Sequence, residues 1–213
     1  PAIRALKESC PDRKITLLAS SPGAEISGFV PEIDDIIVYN APWIKATMPH
    51  QNSKSEYAMA ERLRQGSFDA AVIFTVYSQN PLPAAFLCHL ADIPVRLAYC
   101  HENPYQLLTH WLPDPEPGRY IRHEVQRQLD LVASVGCHTH DEKISLSAPP
   151  EARKRVLRIL NGIGIRKGIP WVIMHTGASA PSRRYSPEGF ASVARHLVQE
   201  MGCQIVLTGV ESE

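Results

Sequence analysis

Short, continuously apolar runs alternate along the chain with longer stretches whose apolar residues recur at helical spacing. The runs at 14–19 (KITLLA), 36–39 (IIVY), 68–75 (FDAAVIFT), 95–99, 171–175 (WVIMH) and 204–208 (QIVLT) are bounded by turn residues and predict buried strands. Helices are predicted over 2–9, from the turn at 20–23 toward Phe29, and over 53–64, 83–90, 119–135, 150–160 and 187–200. Ser53 with Glu56 reads as a capping box, and Gly66 as the stop of that helix. The stretch 83–90 is too hydrophobic for a surface helix. Within 119–135, Ile121, Val125, Leu129 and Val132 form an apolar stripe, and Arg122, Glu124 and Arg127 lie off it. Residues 101–119 are proline-rich and read as irregular.

Strands that are apolar throughout, rather than alternating, belong to parallel sheets covered on both faces. Alternation of such strands with helices predicts an α/β fold. No internal repeat is visible. The Gly-containing connector at 161–168 is the best boundary, giving domains of 1–165 and 166–213. The second holds only strand, loop, helix and strand, the opening unit of an α/β domain. The chain starts without Met at Pro1, inside a helical run, and stops at Glu213 just after a strand-like run. It is read as a piece of a larger protein.

Composition narrows the class. The 213 residues carry 22 basic and 22 acidic side chains, a balance that argues against electrostatically driven nucleic-acid binding. No uncharged run approaches the ~20 residues of a membrane span, and no leader resembles a signal peptide. Five scattered cysteines do not form a disulfide framework and suggest a reducing cytoplasm.

Chemistry concentrates in three places. The segment 175–190 (HTGASAPSRRYSPEGF) runs from a strand end through small residues and two arginines to a helix start. Ligands of doubly wound sheets sit beyond the carboxyl ends of strands, where amides, hydroxyls and arginines hold phosphate. Thr176, Gly177, Ser179, Ser182 and Arg183 are thus a candidate diphosphate site; the segment also reads as a plain βα loop with surface arginines. Thr208-Gly209 ends the next strand, and Glu211 is either a ribose-binding carboxylate or a residue favoured by a helix N-terminus. The loop 100–117, with Arg119, His123 and neighbouring charges, lines either a substrate cleft or a rigid cap on the sheet edge. The Cys137-His138-Thr139-His140-Asp141 cluster matches no standard zinc spacing, so no metal is expected. Asp34 and Asp35 read as turn residues.

Taken in order, these segments resemble glycosyltransferase family 9, the heptosyltransferases of lipopolysaccharide core assembly. Pro31-Glu-Ile-Asp34 with 36–39 is similar to the family's P-x-I-D segment, and Phe68-Asp69 to its Y/F-D strand. The run from Leu90 through Arg96 looks like its AGIP-x-R turn, with Asp92 in place of Gly. The segment 175–188 looks like its H-P-G-A-S…K-R-W-P-x-E signature, with Thr176 for Pro, Arg183 for Lys and Tyr185 for Trp.

The resemblance implies two facing Rossmann-like domains (the GT-B type), an acceptor half followed by a nucleotide-sugar half. It implies inverting, metal-independent transfer of a heptose or related sugar, with an ADP-sugar as co-substrate and no other cofactor. Arg183 would face the diphosphate, Thr176 and Ser179 would hydrogen-bond it, and Glu211 would contact the nucleoside. Arg96, His101, Arg119 and His123 are the acceptor-side candidates. The Asp expected as base lies ahead of Pro1, so this piece alone is expected to be inactive. The implied acceptor is a lipid-linked oligosaccharide, which suggests a cytoplasmic protein with peripheral contact at the inner membrane. Two other readings remain: a nucleotide-dependent enzyme such as a nucleotide-sugar epimerase, and a non-catalytic sugar-nucleotide-binding relative. A GxGxxG turn would favour the first of these, and 14–23 has none.

Overall fold

The apolar runs become short parallel strands, and the periodic stretches become the helices that cover them. A computed structural model describes residues 1–44, 52–144, 146–178 and 180–209. In chain order the elements are α1 (Ala2–Glu8), β1 (Thr16–Ala19), α2 (Ser21–Ser27), β2 (Asp35–Val38), α3 (Lys54–Gln65), β3 (Ala70–Ile73), α4 (Leu82–Leu90) and β4 (Val95–Cys100). They continue with β5 (His110–Pro113), α5 (Glu124–Ala133), α6 (Pro150–Gly162), β6 (Trp171–His175), a 3₁₀ turn (Pro181–Arg183), α7 (Pro187–Gln199) and β7 (Gln204–Thr208).

Among the described residues every strand pairing is parallel, in three sheets: β1–β2, β3–β4–β5 and β6–β7. β5 lies in a segment that reads as irregular. It has only two apolar residues, Trp111 and Leu112, and its strand character comes from its neighbour. His110 to Pro113 pair with Leu97 to Cys100, and the Trp111 indole N–H donates to the Cys100 carbonyl at 3.0 Å. Pro113, which cannot donate to a ladder, stands at the strand's last position.

The chain forms two compact units, Pro1–Ser147 and Ala148–Glu213. The division falls ahead of α6, not in the connector at 161–168. Local bonding explains this. The Arg166 amide donates to Gln204 Oε1 at 2.7 Å, and Gln204 Nε2 donates back to the Arg166 carbonyl at 3.0 Å, so the connector is fastened to β7.

In the first unit, one core joins β2, α3 and α4 through Ile37, Met59, Leu63, Leu87 and Ile93. A second packs α1 on α5 through Ala2, Ala5, Leu129, Val132 and Cys137, with Val72 of β3 against it. α4 buries Ala85, Leu87 and Cys88, but its Phe86 is half exposed, so the helix is less enclosed than its composition suggests. In the second unit, Leu160, Met174 and Cys203 are buried among the described residues.

Local chemistry departs from expectation at two helix ends. Ser53 makes no side-chain cap on α3. Instead Asn52 Oδ1 accepts from the Lys54 amide at 3.1 Å. Gly66 stays right-handed (φ −69°), and Ser67 takes the left-handed turn (φ 49°). A Cβ at Gly66 would come within 2.5 Å of the Phe68 ring, so a side chain there would push that ring aside. Asp92 occupies a left-handed position (φ 57°), which accounts for the Gly that the family pattern places there. Aspartate is among the few other residues that tolerate this conformation. Its carboxylate also accepts from Arg64 Nε at 2.8 Å.

Candidate active site

In the second unit, the parallel register sets His175 of β6 directly beside Thr208 of β7. Thr176-Gly177 and Gly209 therefore leave the sheet level with each other at its carboxyl end. His175 Nδ1 donates to the Thr208 carbonyl at 3.1 Å and lies 3.3 Å from the Thr208 hydroxyl, tying the two strand ends together. Thr176, Gly177 and Ala178 are half-buried. The chain then makes its 3₁₀ turn, closed by the Arg183 amide donating to the Ala180 carbonyl at 2.9 Å. Arg184 folds back, its Nε donating to the Ala178 carbonyl at 2.8 Å. This holds the turn against the small-residue loop. Ser182 and Arg183 are exposed, and among the described residues the Arg183 guanidinium has no ion-pair partner.

Next, Ser186 caps α7 by accepting from the Gly189 amide at 3.0 Å, with Pro187 at the first helical position. The Tyr185 ring packs edge-on to Phe190 at 5.5 Å. A small-residue loop, a fixed turn and a helix start thus converge on one strand end, with the exposed Arg183 beside them. Ser179 and Glu211 lie outside the described residues, so only Thr176, Gly177, Ser182, Arg183, Thr208 and Gly209 of the donor-side candidates have a described position.

The first unit separates its four candidates. Arg96 is buried, and its guanidinium donates to three main-chain carbonyls: Leu107 at 2.7 Å, Gln106 at 2.9 Å, and Ile93. It fastens the loop ahead of β5 to β4, so a structural role accounts for its burial. Arg96→Ala should therefore cost about 2–4 kcal/mol of stability, since it strips charge-assisted partners from several carbonyls. Urea unfolding checks this; lost transfer with unchanged stability would return Arg96 to the acceptor site. His123 is not within a helix. It is the N-cap of α5, and its Nδ1 accepts from the Val125 amide at 3.3 Å. Residues 120–122, expected to be helical, precede that cap. Arg119 is exposed, with its amide donating to Pro115 O at 2.9 Å. His101 lines a pocket at the carboxyl ends of β3 and β4. Its Nε2 is 2.8 Å from the Tyr77 carbonyl and 3.6 Å from Asp114 Oδ2.

Behind His101 stands a buried ion network that the helical pattern conceals. Arg127, off the apolar stripe of α5, is only 1% exposed. Its Nη2 and Nη1 donate to the Asp114 carboxylate at 2.5 and 2.9 Å. Nη1 also donates to Glu116 at 2.6 Å, and Nε to the Thr75 carbonyl at 3.0 Å. The guanidinium lies over the Tyr99 ring, 4.6 Å from its centroid. Arg122 extends the network to Glu116 (3.0 Å), Asp130 (2.8 Å) and the Tyr99 hydroxyl (3.1 Å). One side chain of α5 thereby joins the chain after β3, the β4 aromatic and the chain after β5. Burial by itself would raise the Asp114 and Glu116 pKa values, but hydrogen bonds from Arg127 and Arg122 outweigh it and hold both below the usual carboxylate range. The one hint in the sequence is the acid pair Asp114-x-Glu116 shortly before two arginines.

Among the described residues no three His, Cys, Asp or Glu side chains come together as a metal site, and Cys137 is buried in the α1–α5 core.

Solved structures share this arrangement of parallel strands and helices. E. coli ADP-heptose lipopolysaccharide heptosyltransferase II superposes with a TM-score of 0.70 at 19% identity, over 99% of this chain and 60% of that one. A glycosyl transferase family 9 structure from Veillonella parvula gives 0.73 at 16% identity, over 99% and 57%. E. coli heptosyltransferase WaaC, solved with ADP, gives 0.61 at 15% identity, over 99% and 64%. The fold is therefore α/β of the GT-B glycosyltransferase type. A curated Haemophilus influenzae protein, named provisionally as a glycosyltransferase, is 23% identical over the whole of this chain and 60% of its own length. The model of glycosyltransferase family 9 (heptosyltransferase) matches residues 56–213, and the chain belongs to that family. It spans about 60% of the curated relative it matches.

Proposed function

We propose that this chain forms the acceptor-side unit and part of the donor-side unit of an inverting, metal-independent glycosyltransferase. The enzyme moves a heptose or related sugar from an ADP-sugar to a lipopolysaccharide core or similar glycan acceptor. The observation that carries this reading is the end of β6. There the family signature falls on a strand–loop–helix turn, with small residues beside the exposed Arg183.

In the reaction, a carboxylate base takes the proton of the acceptor hydroxyl. The freed oxygen attacks the anomeric carbon opposite the diphosphate. The bond from that carbon to the phosphate oxygen breaks, and its electron pair leaves with ADP. No residue of this chain is assigned as the base. Arg183 meets the charge that builds on the leaving diphosphate, helped by the hydroxyls of Thr176 and Ser179, and Glu211 holds the nucleoside. The ADP-sugar is a co-substrate, and no further cofactor takes part. Among the described residues no helix is long and apolar enough to cross a membrane. A lipid-linked acceptor would bring the enzyme to the cytoplasmic face of the inner membrane by peripheral contact.

Family membership sets aside the nucleotide-sugar epimerase reading. Calorimetric titration with ADP, UDP and GDP tests the donor assignment. ADP should bind more tightly than the other two. Equal binding would remove ADP-sugar as the donor and leave the fold untouched.

A further inference from the structure

A pocket of about 130 Å³ opens beyond the carboxyl ends of β3 and β4, lined by Tyr77, Asn80, Pro81, Cys100, His101 and Glu102 among others. This is where parallel α/β sheets hold ligands. Its polar groups are fixed in advance. Asn80 Oδ1 accepts from the Leu82 amide at 2.8 Å, and Asn80 Nδ2 donates to Glu102 Oε1 at 2.9 Å. Only one oxygen of the exposed Glu102 carboxylate is engaged by Asn80. His101 is set by the Tyr77 carbonyl.

The charge around the pocket is one-sided. Glu102 is its carboxylate, and no Lys or Arg lines it. The arginines behind it, Arg122 and Arg127, are spent on Asp114, Glu116 and Asp130. Two cations against three carboxylates leave that network net negative. A phosphate or carboxylate entering the pocket would meet Glu102 with no Lys or Arg in the lining to neutralise it. Sugar hydroxyls suit such a lining, because they donate to a carboxylate in charge-assisted bonds and exchange bonds with amide and imidazole groups.

We propose that this pocket holds a neutral, hydroxyl-bearing sugar residue of the acceptor, with Glu102 accepting from its hydroxyls, and that it discriminates against anionic sugars. The inference rests on the reading of this unit as the acceptor side. Saturation-transfer NMR on the chain tests it with methyl α-glucoside, glucuronic acid and glucose 6-phosphate as probes. The neutral glycoside should give saturation transfer and the two anions should not. Glu102→Gln should weaken the glycoside about tenfold, the loss of one charged hydrogen bond. Glu102→Lys, at the same exposed position, should reverse the preference. Tighter binding of either anion to the unaltered chain would overturn the proposal. So would no glycoside binding while ADP still binds, an outcome that leaves the donor reading intact. Glycoside binding with no affinity for ADP would sink the donor reading alone.

Discussion

Arg127→Ala should destabilise the first unit by about 3–5 kcal/mol, the cost of leaving buried Asp114 without its arginine and Glu116 with Arg122 alone. Against the roughly 5–15 kcal/mol that holds a domain folded, this is a severe loss. Asp114 and Glu116 are 2% and 1% exposed at the side chain, so water cannot replace the guanidinium. The variant also loses the tie to the Thr75 carbonyl and the contact with Tyr99. Urea unfolding followed by tryptophan fluorescence measures the effect.

Its pH dependence identifies the cause. Both carboxyls have lowered pKa values in the folded protein, so their contribution is present above the unfolded value of about 4 and is lost as pH falls through the folded values. In the variant the same carboxyls are buried without Arg127 and protonate more readily. The gap between the two proteins should therefore be widest at neutral pH and narrow toward pH 4. A gap independent of pH would show that Arg127 acts through packing on Tyr99 instead. Replacing Arg127, Asp114 and Glu116 together by Met, Asn and Gln should recover part of the loss, since the uncompensated charges go with the cation.

Arg183→Ala should lower kcat about 10²–10³-fold in active protein, the usual effect of removing one preorganised group from a developing anion. The reason is positional. Arg183 is exposed at the end of the 3₁₀ turn, whereas its neighbour Arg184 is turned back onto the Ala178 carbonyl. Arg183→Lys keeps the charge but loses the planar fork that matches phosphate oxygens, so it should fall between Ala and the native residue. Single-turnover rates with saturating donor check this. A large loss for Arg184→Ala beside a small one for Arg183→Ala would exchange the roles of the two arginines. A change in KM alone would make Arg183 a binding residue that does not favour the transition state.

Much of this was legible in the chain itself, and the limits fall at particular residues. The runs 171–175 and 204–208 are the strands β6 and β7 residue for residue, because turn residues bound both, but the burial expected of them is reached only at Met174, with Ile173 and Leu207 exposed. The 175–190 signature falls on the turn that its small residues and Pro187 predict. β5 escaped because two apolar residues, Trp111 and Leu112, between polar residues and Pro113 carry no period, and only β4 beside them makes a strand. Arg96 and Arg183 look alike as arginines near strand ends. One is bound by carbonyls from the turn before β4 and the loop before β5, and the other is open to solvent.

Apart from β5, the sequence by itself determined the order of strands and helices, their parallel arrangement and the family. These follow from local apolar runs, turn residues and motif order, which are properties of neighbours along the chain. Tertiary structure alone decided which charged side chains are buried. Helical spacing sets Arg127 off the apolar stripe, and that would be a solvated face on an isolated helix. It is buried because Asp114 and Glu116 arrive from the end of β5, more than ten residues away, with carboxylates placed to neutralise it. Whether a charge can leave water depends on a partner that folding delivers, and local sequence does not encode that delivery.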